Sequence, residues 1–169
     1  MTPFIAEFLG TMLLILMGAG VVANVSLAKT KGNGAGWMAI TTAWALGVFI
    51  GVVVAGPYSG AHLNPAVTIG LAIGGSFAVD QMLPYIVAQL LGAAVGATLV
   101  WLVYKDHFDA TADADTKLGV FCTGPAIPNK GLNFLSEVVG TFALMFVVFY
   151  ITDGELTYGS NSTIPIGLG

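Results

Sequence analysis

The residues whose chemistry asks for an explanation stand together in SGAHLNPAVT, residues 59–68. His62 and Asn64 are polar, and the stretch lies inside 48 residues, 32–79, without Asp, Glu, Lys or Arg. Proline suits a first helical turn, because its missing N–H would be unpaired there anyway. Asparagine is a favoured N-cap. Asn64 is therefore predicted to cap a helix that starts at Pro65 and ends at Gly74-Gly75. Ten residues of helix, 65–74, span about 15 Å, half of a hydrocarbon core of about 30 Å. The segment reads as a re-entrant half-helix that leaves the membrane on the side it entered. Non-helical backbone at that depth is tolerated only within protein or along a watery cavity, so the cluster implies a polar lumen.

A helix N-terminus carries about +0.5 charge, which in a narrow lumen discourages cations, protons included. The Asn64 amide has two donors, so it can cap the helix and still aim N–H into a pore. Gly60, Ala61 and His62 cannot make helical bonds there, and their carbonyls are candidates for a ladder of acceptors. Donors at the centre and acceptors along one wall suit a neutral permeant with both roles, such as water or a polyol. An ion would need charge compensation, and no charged side chain is near. His62 also has a plainer reading, a satisfied buried histidine that orients the loop.

The elements that must position this cluster are apolar spans. Of the 169 residues, 56% are hydrophobic and 8% charged, against about 25% charged in a soluble domain. A helix crosses a bilayer with about 20 apolar residues, and four stretches qualify: 4–25, 36–55, 82–104 and 134–152. Gly56-Pro57 is predicted to stop the second. The polar stretch 105–131 reads as an extramembrane loop with a solvated acidic segment, and 153–163 as a further loop before the apolar IPIGLG. The net charge of −4 sits mostly in connecting segments and gives no nucleic-acid signal. The single cysteine, Cys122, rules out an internal disulfide or a multi-cysteine metal site. The N-terminal apolar run is too long for a signal peptide, whose core is about 7–15 residues. Gly47-x-x-x-Gly51 and Gly92-x-x-x-Gly96 permit close helix approach, a packing role.

The chain repeats itself. FIAEFLGT at residue 4 and FLSEVVGT at residue 134 share F-x-x-E-x-x-G-T, so Glu7 matches Glu137. Three crossings separate the copies, and an odd number makes the second enter from the opposite face. This is an inverted-topology repeat, whose functional site lies near the midplane where the halves meet. The repeated position of Glu7 and Glu137 suggests a structural job, accepting bonds from re-entrant backbone amides; proton relay is the alternative for an intramembrane carboxylate. A counterpart of Asn64 is expected about 25 residues beyond Gly169, so the second repeat reads as cut short.

SGAHLNPAVT, AEFLGT and SEVVGT together resemble the major intrinsic proteins, the aquaporin and aquaglyceroporin family, along essentially the whole chain. AWALGV at 43–48 and FCTGPAIPN at 121–129 are similar to the glycerol facilitators of bacteria. The resemblance implies an all-α, inverted-repeat helical bundle: a first repeat over 1–105, a connecting loop over 106–132, and the start of a second repeat over 133–169. It makes Asn64, Pro65 and Ala66 the first NPA box, Gly60, Ala61 and His62 the carbonyl ladder, Trp44 an apolar wall of the outer filter, and Glu7 and Glu137 braces. The second NPA box and the filter arginine have no match here, in keeping with a sequence that has no Arg.

The implied function is a passive, non-enzymatic channel of the bacterial plasma membrane for glycerol and other small uncharged polyols, with some water, excluding ions and protons. It needs no cofactor or metal, and its partners are lipid and the other copies of a homotetramer. The alternatives are a water-selective channel, a coupled transporter using Glu7 or Glu137, and a non-conducting fragment. Lys29 and Lys31 in the first loop and Lys105, Lys117 and Lys130 in the third do not decide orientation.

Overall fold

A computed structural model describes residues 1–150 and the backbone of 155–158 and 162–165. It contains helices α1 (Pro3–Ser26), α2 (Trp37–Ser59), α3 (Pro65–Ile73), α4 (Met82–Val103), α5 (Lys105–Ala110), α6 (Ala114–Gly119) and α7 (Lys130–Tyr150). A 3-10 turn, Val79–Gln81, leads into α4. Among the described residues four helical segments are long and apolar enough to cross a membrane: α1, α2, α4 with its 3-10 turn, and α7. Large side chains on their outer faces are bare; Trp37 and Met38 are each 78% exposed. Water would penalise that surface, whereas lipid accommodates it.

Helix α1 is the hub, packed against α2 on one side and α4 on the other. Small residues set the spacing. A Cβ on Gly51 would stand 3.0 Å from the Gly10 carbonyl oxygen, and one on Gly96 would stand 2.6 Å from that of Met12. One on Gly92 would overlap the Phe8 carbonyl. Both Gly-x-x-x-Gly pairs thus bring backbones into contact, which is how helices associate where lipid supplies no hydrophobic drive.

Helix α2 runs four residues past the predicted stop at 55. Pro57 lies in its last turn, where the missing N–H costs one bond, and the helix ends instead at Gly60 in the left-handed conformation, φ 78°. Helix α3 starts and ends as its sequence indicates. It finishes in a Schellman arrangement, with Ser76 N–H donating to Leu71 O at 2.9 Å and Gly75 at φ 77°.

The stretch expected to be a plain loop contains α5 and α6. Phe108 and Val120 are buried there against Ala19, Ala23, Leu27 and Val100, sealing one end of the α1–α4 pair. Thr111 Oγ1 accepts from Ala28 N–H at 2.9 Å, and His107 Nδ1 lies 3.0 Å from Ala28 O, so the segment also satisfies backbone beyond the end of α1. Asp113 caps α6, accepting from the Thr116 hydroxyl and N–H, and these bonds hold its carboxyl below the usual carboxylate range. The Lys105–Asp109 ion pair is exposed and contributes little.

Helix α7 starts at Lys130, earlier than predicted, with Asn129 Oδ1 accepting from Leu132 N–H at 3.1 Å. It rests on α3, Met145 lying over Gly70 and Phe149 over Gly74. Within 153–163, predicted to be loop, and just beyond it, β1 (Glu155–Tyr158) and β2 (Ser162–Pro165) pair as an antiparallel hairpin, Glu155 opposite Pro165 and Tyr158 opposite Ser162. The predicted span end at 151–152 and the IPIGLG residues from 166 lie outside the described residues.

Candidate pore site

The site is built around one carboxylate. Glu7 is completely buried, and its two oxygens meet four donors. Oε1 accepts from the Ser59 hydroxyl at 2.6 Å and from His62 N–H at 2.9 Å. Oε2 accepts from Leu63 N–H at 2.7 Å and from Gln89 Nε2 at 2.8 Å. These bonds hold the non-helical approach to α3 in a strained shape: Ala61 and Leu63 have φ of 53° and 51°. A non-glycine residue in that region costs about 1–3 kcal/mol and persists only where its surroundings over-determine it. Glu7 does so by gathering successive N–H groups to one side. No hydrogen bond among the described residues reaches the carbonyls of Gly60, Ala61 or His62.

Asn64 caps α3 as its sequence indicates. Its Oδ1 accepts from Ala66 N–H at 2.8 Å. The Nδ2 donors make no bond among the described residues, and the side chain borders a cavity of 620 Å³. Ala61, His62, Pro65 and Trp44 line the same cavity. Gly60 and Ala66 flank these lining residues in the chain and are half-buried. Thr68, one turn into α3, donates its hydroxyl to Asn64 O at 3.2 Å and locks the cap.

His62 is held on every side. Its ring lies 4.5 Å from the Phe77 ring and 4.9 Å from that of Tyr85, and Nδ1 is 3.1 Å from Thr68 Oγ1. Tyr85 in turn donates to Ser59 O at 3.0 Å. The imidazole therefore fixes the loop, as the plainer reading of the sequence has it, while still forming part of the cavity wall. Trp44 lies flat against Gly18, where a Cβ would overlap the indole. Glu137 is exposed and makes no hydrogen bond among the described residues, and a Cβ on Gly140 would meet nothing within 4 Å. The structure thus brings Glu7 to the loop and leaves Glu137 apart from it.

Sequence reasoning missed Thr11, Gly18, Tyr85 and Gln89. A signal was there for three of them. Glu7 and Thr11, and likewise Tyr85 and Gln89, stand four apart inside apolar spans, which places each pair on one helix face. Polar side chains inside a span almost always face the protein interior.

Four membrane-length helices, with a half-helix that packs on α4 and α7 and starts beside a cavity, define a multi-pass membrane protein. Family comparison agrees: the Major intrinsic protein family matches residues 1–169, and the chain belongs to it. It is 53% identical over 161 residues to the probable glycerol uptake facilitator protein of Thermotoga maritima, covering 95% of this chain and 69% of that one. It is 45% identical over 173 residues to the glycerol uptake facilitator protein of Streptococcus pneumoniae, covering 100% and 74%. Among solved structures, the aquaglyceroporin from Plasmodium falciparum superposes with a TM-score of 0.58 at 40% identity, over 63% of this chain and 43% of that one. The chain therefore spans 69–74% of those curated relatives and less than half of that solved structure.

Proposed function

We propose that the protein is a passive channel for glycerol and related small uncharged polyols, with some water, that excludes ions and protons. The observation that carries this reading is the start of α3 at the cavity, with an Asn64 NH₂ that has no partner, and a lining that has no charged side chain, among the described residues. A neutral hydroxyl can accept from Asn64 and donate to the loop carbonyls, whereas a cation meets the positive helix end without compensation. Trp44 offers an apolar face for a carbon backbone, which favours a polyol over a pore for water alone. The names of the relatives point the same way. In this reading 1–105 forms one repeat, α7 opens the second over 133–169, residues 106–132 connect them, and Glu137 braces a second re-entrant loop. Assembly as a homotetramer follows from the family resemblance.

The coupled-transporter alternative fits less well, because Glu7 is enclosed by four donors and anchors backbone. Glycerol flux into liposomes carrying the full-length protein is expected to rise linearly with concentration and to ignore an imposed pH gradient. Saturating flux driven by the gradient would replace the channel with a transporter.

A further inference from the structure

The imidazole of His62 is one corner of a triangle of aromatic rings. Phe77 stands 4.5 Å from it and Tyr85 4.9 Å, and Phe77 and Tyr85 are 4.7 Å from each other. Tilted and edge-to-face contacts at this spacing are favourable for ring pairs. The corners come from three places in the chain: His62 from the approach to α3, Phe77 from the segment that leaves α3, and Tyr85 from α4. The Schellman turn at Gly75 reverses the chain, and Phe77 packs back against Val67, Leu71 and Val148. His62 borders the cavity, as do its neighbours Ala61 and Leu63. Phe77, Tyr85 and Thr68, which the His62 ring touches, are not among the lining residues. The contacts that fix this ring, and with it the backbone between Ala61 and Leu63, therefore come from outside the lining.

We propose that Phe77 is a positioning residue: by bearing on the His62 ring, it sets how far the loop wall stands into the cavity, and so the largest polyol admitted there. The proposal rests on the channel reading and extends it from a class of permeant to a size limit. Tyr85 is tied to Ser59 O by its hydroxyl, and Thr68 to Asn64 O, so neither is free to follow a moving His62. The Phe77 side chain has packing alone to hold it. Trimming it opens space beside His62 on a side that is not cavity lining. The ring and its peptide then settle toward position 77, and the wall withdraws.

The test measures permeability to glycerol and to erythritol, a longer polyol, by stopped-flow light scattering of liposomes carrying the full-length protein. Wild type is compared with Phe77→Ala, His62→Ala and the double variant. The erythritol-to-glycerol ratio is expected to rise about threefold or more in Phe77→Ala. Phe77→Tyr, which keeps the ring, should stay near wild type. In the His62→Ala background, Phe77→Ala should change the ratio little, because the residue it acts through is gone. An unchanged or lower ratio in Phe77→Ala overturns the proposal, even where both permeabilities fall, because Phe77 is then packing alone. A rise that persists in full without the imidazole overturns it too. If Phe77→Ala does not insert, Phe77→Leu is read in the same way, together with its high-resolution structure: His62 displaced toward position 77 supports the proposal, and an unmoved His62 refutes it. Wild-type liposomes closed to glycerol would instead defeat the channel reading on which the proposal depends.

Discussion

Glu7→Ala is expected to collapse the re-entrant loop, abolish flux and lower stability by about 4 kcal/mol, the scale of breaking a buried charge network. The estimate follows from the four donors. The Ser59 hydroxyl can fall back on Ala55 O at 3.3 Å, and Gln89 Nε2 keeps Thr68 Oγ1. The N–H groups of His62 and Leu63 have no such alternative, and each buried donor left unmet costs about 1–3 kcal/mol. The left-handed conformations of Ala61 and Leu63 then lose what holds them. Glu7→Gln should fall between the two states, because whichever oxygen becomes NH₂ confronts two donors. Thermal unfolding in detergent measures the loss, and a melting temperature for Glu7→Ala equal to wild type would remove the carboxylate from the centre of the site.

Gly18→Ala should lower glycerol permeability at least about tenfold, equivalent to roughly 1.4 kcal/mol on the barrier. The indole of Trp44 occupies the space a Cβ at position 18 would fill. The backbone of α1 is fixed by its contacts with α2 and α4, so the ring must yield, and it already lines the cavity. The added methyl group acts by pushing an aromatic ring into the path. Glycerol, being wider, should suffer more than water. Gly18→Ala combined with Trp44→Ala should recover glycerol flux, since the clash and the obstruction disappear together. A double variant as impaired as the single one would place the damage in helix packing instead. Stopped-flow measurements on wild type, Gly18→Ala, Trp44→Ala and the double variant give the coupling directly.

Much of this arrangement is legible in the sequence, for identifiable reasons. Charge-free runs of bilayer length reveal the spans, and Asn64-Pro65 followed by Gly74-Gly75 marks both ends of a helix too short to cross. The recurrence of Glu7 as Glu137 in the repeat suggests its bracing role. Other features depend on information that local sequence does not hold. Pro57 stands in the last turn of α2, where its cost is one bond, and a breaker pair alone does not say how many residues remain. The 105–131 stretch looks solvated because its acidic residues outnumber its anchors, yet Phe108 and Val120 suffice to pin it. The seat of Trp44 on Gly18 is a product of helix crossing. Thr11 and Gln89 pass for ordinary span residues until the cavity shows them on a shared wall. The partner of Glu137 is not among the described residues, so its bracing role stays a proposal.

The most direct test of the whole account is light scattering of liposomes carrying the full-length protein, shrunk in glycerol or in sucrose, with wild type beside Asn64→Leu. An asparagine amide at the tip of α3, facing the permeant, requires rapid re-swelling in glycerol, none in sucrose, and a slowing of at least about tenfold in the leucine variant. Equal glycerol rates for wild type and Asn64→Leu would contradict it.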